Sequence, residues 1–262
     1  MPANFNLEPI QSLWIGPNLS SMERLCIHSF LHYGHPFHLY VYDHVEGVPR
    51  QAKLCDANEI LPSSRIFFYS KHNSCAGFAN MFRYKLLLER GGWWVDTDTI
   101  CLDAFHFSEP YIFSSEKSKD GAGYCVNAGI MRTPPNTDVM RYCWQHCERA
   151  DNSTLKWGDT GPKLIAHALE KYSLGHFVQP PHIFCPIPFW EWNQTLEPSL
   201  EWQLHSETRA IHLWNEMWRR NSRCKDARYD PACLYEQLKS RYLDSIESGA
   251  LTVSHTASAL SS

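Results

Sequence analysis

The segment Phe78–Leu102, FANMFRYKLLLERGGWWVDTDTICL, decides the fold. Its first half continues a helical pattern that starts near Ala76, runs to Arg90 and stops at Gly91-Gly92, a C-terminal stop signal. Its second half, Trp93 to Leu102, has the composition of a strand. Side chains alternate along a strand, so Asp96 and Asp98 are expected on one face, with Trp94 beside them. Two carboxylates held that close repel each other, and a divalent cation between them removes the repulsion. On the helix, Asn80 and Arg83 are three residues apart and share a face, which Tyr84, Leu87 and Arg90 continue; Phe78, Phe82 and Leu86 fall on the other side. An amphipathic helix is expected, presenting Arg83 beside the acidic pair. Its guanidinium suits sugar hydroxyls or phosphate oxygens, or equally a structural ion pair with Asp96 or Asp98.

N-terminal to this segment, Ile10 to Ile15 reads as a short buried strand closed by Gly16-Pro17. A helix from about Ser20 to His32 follows, capped by Ser20 or Ser21 with Glu23 in its first turn. After Gly34-His35-Pro36, the run Phe37 to Asp43 reads as a second strand, and strand–helix–strand of this length predicts a parallel βαβ unit. C-terminal to it, an extended piece is expected over Tyr124 to Met131, and helices over Asp138 to Ala150 and Gly161 to Tyr172. Four prolines between Phe177 and Phe189 predict loop or edge structure. A strand over Ala210 to Trp214, an Arg-rich turn and a terminal helix from about Pro231 to Glu247 complete the core. Residues 248–262 are small and polar and are expected to be disordered. The expected organisation is therefore one domain over residues 1–247 with a helical C-terminal addition.

Composition narrows the function. The 262 residues carry 24 Lys plus Arg against 28 Asp plus Glu, a net charge of −4, which argues against nucleic acid as a partner. The 10 cysteines include no Cys-x-x-Cys pair. Cys143 and Cys147 lie one helical turn apart around His146, half of a metal site with no second half nearby. Scattered reduced thiols, a polar start to the chain and the lack of an apolar run near ~20 residues predict a cytoplasmic enzyme. Arg219, Arg220 and Arg223 read as a solvated basic face, with an anionic acceptor or a peripheral contact at the inner membrane face as the alternative. His28, His32, His35 and His38 cluster without metal-ligand spacing.

A bare Asp-x-Asp is a weak signal. Here it follows a helix carrying Asn-x-x-Arg-Tyr, then Gly-Gly, two tryptophans and a valine. This segment closely resembles the DXD sugar-binding region of glycosyltransferase family 32, which is related to the clostridial toxin glucosyltransferases and to eukaryotic α-mannosyl- and α-galactosyltransferases. Further pieces resemble the family in the right order: Ser12-Leu13-Trp14-Ile15-Gly16, Tyr40-Val41-Tyr42-Asp43, Val126-Asn127-Ala128-Gly129-Ile130-Met131, Thr160-Gly161-Pro162, and Ala210-Ile211-His212-Leu213-Trp214-Asn215 with Trp218.

The resemblance implies a GT-A fold, an α/β Rossmann-like nucleotide-diphospho-sugar transferase. It implies Mn²⁺ or Mg²⁺ and a UDP- or GDP-sugar donor. The expected reaction moves a hexose, with retention, to a hydroxyl of a glycan or glycolipid in surface polysaccharide synthesis. Asp98, with Asp96 and His212, would hold the metal. Arg83, Asn80, Asp96, Asn127, Trp14, Trp214 and Trp218 would contact the donor, and Asp96, Asp98 and Arg83 would be the catalytic set. Where relatives carry Asp on the helix, this chain has Asn80, which keeps an acceptor oxygen but no charge.

Two other readings fit parts of the sequence. Val95-Asp96-Thr97-Asp98-Thr99 fits the nucleophile motif of haloacid-dehalogenase-like phosphatases, with Gly158-Asp159 as a late acidic motif. The other is a non-catalytic relative that binds a nucleotide sugar or carbohydrate. For Asp159 the structural alternative is an N-cap of the helix starting at Gly161.

Overall fold

The computed structural model describes residues 7–69, 74–121, 123–198 and 204–244. The expected tail lies outside the described residues.

The expected βαβ unit forms. Strand β1 (Ile10–Leu13) leads into helix α1 (Ser21–His32) and then β2 (Phe37–Val41), which pairs parallel with β1. Ser20 caps α1 as a capping box: its own N–H donates to Glu23 Oε2 at 2.8 Å, and its hydroxyl accepts the Met22 N–H. Glu23 is fully buried and also holds Lys225 from the C-terminal segment, which ties the two ends of the chain together.

The main sheet has six strands in the order β3-β2-β1-β4-β7-β6, where β3 is Lys53–Asp56, β4 Gly92–Val95, β6 Ile112–Lys117 and β7 Tyr124–Thr133. Strands β3, β2, β1 and β4 run parallel; β7 is antiparallel to both β4 and β6. A two-stranded antiparallel sheet joins β5 (Thr99–Cys101) to β8 (Ala210–His212). Helices α2 (Ala76–Arg90), α3 (Asp138–Arg149) and α4 (Pro162–Lys171) pack on one side around Phe78, Phe82, Trp94 and Met140. On the other side α1 packs with the short helices α5 (Pro181–Phe184), α6 (Asn215–Arg220) and α7 (Leu234–Lys239) around Phe30, Trp93, Phe184 and Trp218. Three layers, helices–sheet–helices, result, as expected for a doubly covered parallel sheet. Among the described residues no helix is long and apolar enough to cross a membrane.

Several expectations are corrected. The single strand over Trp93–Leu102 is broken: β4 ends at Val95, residues 96–98 turn, and β5 leaves the main sheet to pair with β8. Helix α2 occupies its expected range but is not amphipathic; Phe78, Asn80, Phe82, Arg83, Tyr84, Leu86 and Leu87 are all buried, because α3 and the sheet cover it from opposite sides. The terminal helix starts at Leu234 rather than near Pro231 and turns from α (Leu234–Lys239) to π (Ser240–Asp244); residues 245–247 of the expected helix lie outside the described residues. The proline-rich Phe177–Phe189 stretch holds the short α5, which two consecutive prolines open. Asp159 does not cap α4; it accepts the Lys156 N–H and pairs with Lys163.

Candidate active site

The site lies where β1 and β4 end, at the carboxyl edge at which open α/β sheets hold ligands. The Asp96 N–H still donates to Gly129 O at 2.8 Å, one rung past β4. The Thr99 N–H then bonds back to Asp96 O, closing the Asp96-Thr97-Asp98 turn. Turn geometry, not strand alternation, therefore brings the two carboxylates together. His212, at the end of β8, completes the group: the ligand-capable atoms of Asp96, Asp98 and His212 all lie within 4.8 Å of one another.

Each carboxylate is anchored by a different part of the chain. Asp96 Oδ1 accepts Arg83 at 2.9 Å and the Trp94 indole N–H at 2.9 Å. Arg83 is buried beneath it, spending its remaining described donors on Ala128 O and Ala79 O, with its guanidinium over the Trp94 ring. It thus forms the ion pair with Asp96 that the sequence left as an alternative. Asp98 Oδ1 meets His212 Nε2 at 3.1 Å, and Oδ2 accepts the Asn215 backbone N–H at 2.7 Å. That amide is aimed by Trp214, whose left-handed backbone (φ 59°, ψ 53°) is uncommon for a bulky residue and marks stored strain beside the site. The Trp214 ring packs tilted against His212, with centroids 4.0 Å apart, and donates to Ile187 O.

The charges fit this arrangement. Burial, with the neighbouring Asp98 charge, pushes the Asp96 carboxyl up against the pull of Arg83. Burial also pushes on Asp98, but His212 and the Asn215 N–H outweigh it and hold that carboxyl below its usual range. Burial lowers His212, and contact with Asp98 and with the Cys185 thiol more than reverses this.

Other residues take less expected places. Asn80 donates to Thr160 Oγ1 at 3.3 Å, and the Thr160-Gly161-Pro162 turn approaches so closely that a Cβ on Gly161 would stand 3.1 Å from Asn80 Nδ2. Asn127 Oδ1 accepts the Gly129 N–H at 2.6 Å. Trp14 sits half-buried just past β1, with Lys225 Nζ 5.6 Å from its ring centre. Trp218 is not brought to the cleft: it is fully buried, donates to Leu213 O, and packs against Trp192 and Tyr235. The phosphatase reading gains no support, since Asp96 is tied to Arg83 and Asp159 is taken by Lys163.

Two residues were missed by sequence reasoning. A Cβ on Gly129 would fall 2.8 Å from Asn127 Oδ1, 3.2 Å from Asp96 Oδ2 and 3.3 Å from His212 Cε1; the missing side chain makes the hollow that these groups line. Glu116, on β6, lies against Asn127, with one oxygen enclosed and unpartnered and its carboxyl pushed up by burial. Gly129 had a signal in its Asn-Ala-Gly setting, whereas Glu116 lies in a strand that the sequence reading does not include.

The fold and the acidic turn define an α/β chain whose candidate site lies at the carboxyl edge of a mainly parallel sheet. Residues 135–242 match the family model described as the alpha 1,4-glycosyltransferase conserved region. The match bears out the resemblance to family 32, and it does so outside the DXD segment that first suggested it. The human lactosylceramide 4-alpha-galactosyltransferase is 26% identical over 176 residues, covering 61% of this chain and 46% of that protein. The enzyme of the same name from Mus musculus is 28% identical over 149 residues, covering 51% and 39%. The chain thus spans about half the length of the curated relatives it matches. Among solved structures, the PaToxG glycosyltransferase aligns with a TM-score of 0.47 at 15% identity, over 64% of this chain and 70% of that one.

Proposed function

We propose that the chain transfers a hexose from a nucleotide-diphosphate sugar to a hydroxyl of a glycan or glycolipid, with retention at the anomeric carbon. The observation that carries this reading is the convergence of Asp96, Asp98 and His212 at the carboxyl edge of the parallel strands, around the hollow left by Gly129. The glycolipid class of acceptor is supported by the names of the relatives, lactosylceramide 4-alpha-galactosyltransferases.

The donor set of two carboxylates and one imidazole fits Mn²⁺ or Mg²⁺, as does the hollow where a Cβ would otherwise stand. When bound there, the ion would supply positive charge to stabilise a departing diphosphate. The chain's own groups do the positioning. Arg83 and Trp94 fix Asp96, while Asn215 and His212 fix Asp98, so little reorganisation remains for the reaction itself. Asn80 and Asn127 offer amide groups at the wall of the cleft, and Trp14 an aromatic edge for the base. Both turn carboxylates are engaged, which favours same-face attack by the acceptor over a covalent intermediate on either of them.

The test is turnover of UDP- and GDP-sugars, including slow donor hydrolysis. Asp98→Ala should abolish metal-dependent turnover, and EDTA should abolish it in the unaltered chain. Unchanged turnover in either condition sinks the reading. Donor binding without any turnover, with metal present, would instead point to a non-catalytic binder.

A further inference from the structure

Outside the cleft, a second cluster of ligand-type side chains has no part in the reading above. His182 lies on α5, and His205 and Glu207 lie in the turn that leads into β8. One atom from each falls within 4.8 Å of the others. Glu207 Oε2 stands 3.6 Å from His182 Nε2 and 3.5 Å from His205 Nδ1. These separations are long for hydrogen bonds. They match the spacing of ligands about a tetrahedral ion, where bonds of about 2.1 Å place neighbouring donor atoms about 3.4 Å apart.

Two further observations point the same way. His182 Nε2 is enclosed and has no hydrogen-bond partner, a cost that a bound cation removes. The backbone on either side is already set: the Thr208 hydroxyl donates to His182 O and the Arg209 N–H to Ile183 O, both at 2.8 Å. The rings of His182 and His205 are held 4.4 Å apart. A cation would replace one existing contact, the Glu207 N–H to His205 Nδ1 at 3.2 Å.

We propose that His182, His205 and Glu207 bind one zinc-class divalent ion at a site separate from Asp96, Asp98 and His212. Two imidazoles and a carboxylate with an open fourth position suit Zn²⁺ or Co²⁺, whereas the oxygen-rich acidic turn suits Mg²⁺ or Mn²⁺. The cluster is accessible, with side-chain exposures of 39%, 52% and 64% for His182, His205 and Glu207. The ion cross-links α5 to the entry of β8. The site stands or falls independently of the transferase reading.

The test is a Co²⁺ titration of the purified, metal-stripped chain, followed by visible absorption. Four-coordinate cobalt absorbs intensely, and six-coordinate cobalt on oxygen ligands absorbs weakly. The unaltered chain should develop the intense band with one equivalent of Co²⁺ and lose it to Zn²⁺. The band should vanish in His205→Ala and in Glu207→Gln and persist in Asp98→Asn. Circular dichroism and donor turnover with Mn²⁺ should be unchanged in His205→Ala. Absence of the band in the unaltered chain overturns the proposal. So does its survival in both His205→Ala and Glu207→Gln, which would assign the cobalt to other donors such as the exposed thiols Cys125 and Cys224.

Discussion

At the residue scale, the site depends on a side chain that is absent. Gly129 faces Asp96, His212 and Asn127 at distances where a methyl group cannot fit without moving them. The nearest atom, Asn127 Oδ1, is itself fixed by the Gly129 N–H and cannot simply swing away. Gly129→Ala is expected to lower metal-dependent turnover on the order of 10²-fold, since a shift near 1 Å in a positioned group costs about that much. Its melting temperature should fall as well, because the added methyl overpacks the Asn127 contact at a cost of about 1–3 kcal/mol. Initial rates and thermal melts on the same samples check this, and wild-type rates would remove Gly129 from the site. Arg83 is a residue whose loss should cost stability. Arg83→Met leaves the half-buried Asp96 beside Asp98 without its cation, at a cost between the ~1 kcal/mol of an exposed pair and the ~3–5 kcal/mol of a fully buried one. Urea unfolding should show a loss of that size, and a loss below about 1 kcal/mol would contradict the buried-pair reading.

At the scale of elements, the rim of the cleft is made where separate segments meet. Trp157, in the loop before α4, lies 5.4 Å from the Tyr69 ring and under the Arg220 guanidinium of α6 at 4.7 Å. Arg219 and Arg220 also pair with Glu216, so the expected basic face is largely spent within α6 and on Trp157. Trp157 remains 38% exposed and connects through Tyr69 and Thr160 to Asn80. Trp157→Ala should raise the acceptor KM several-fold while leaving donor hydrolysis unchanged. Equal losses in transfer and hydrolysis would assign Trp157 to the donor side or to folding.

At the scale of the whole molecule, histidines set the acid side of stability. His35 is almost completely buried between Phe30 and Phe105; it contacts Glu8 O and accepts the Phe105 N–H, each at 3.0 Å, which leaves the proton on Nδ1. Burial lowers its pKa, His106 adds to this, and Glu8 opposes it. Burial also lowers His28, beside Arg24, and His38, beside Lys53. For each group the unfolded chain takes up a proton at a pH where the folded chain does not. Stability is therefore full above about pH 6.5 and is lost as pH falls from there toward the depressed folded values. His212, held above its usual range, contributes with the opposite sign, so the effect of His35 is read by comparison: between about pH 7.5 and about pH 5.5 the urea midpoint of the unaltered chain should fall relative to that of His35→Gln. An unaltered slope in the variant would mean that His35 does not carry the effect.

Sequence and structure divide along physical lines. Local patterns were legible where a rule acts within a few residues: the Ser20 capping box, the Gly91 stop after α2, the β1–α1–β2 unit and the acidic pair with its helix. Strands β3 and β6 were not legible. Strand β3 is an edge strand with exposed side chains and no alternation, and the first four residues of β6 are buried without the alternating pattern that marks a half-exposed strand. Asp96, Asp98 and Arg83 could be named from their motif, and His212 from the order of the pieces that follow it. That Arg83 would be spent on Asp96, that Trp214 would brace His212, and that Trp218 would vanish into the core depends on contacts between segments far apart in the chain. The sequence by itself determined the elements and the chemical character of the site, because capping, periodicity and side-chain type are local properties. Only the tertiary structure decided that a strand should break at Asp96, because the Asn215 amide, the His212 ring and the Gly129 carbonyl that hold the turn all arrive from elsewhere in the fold.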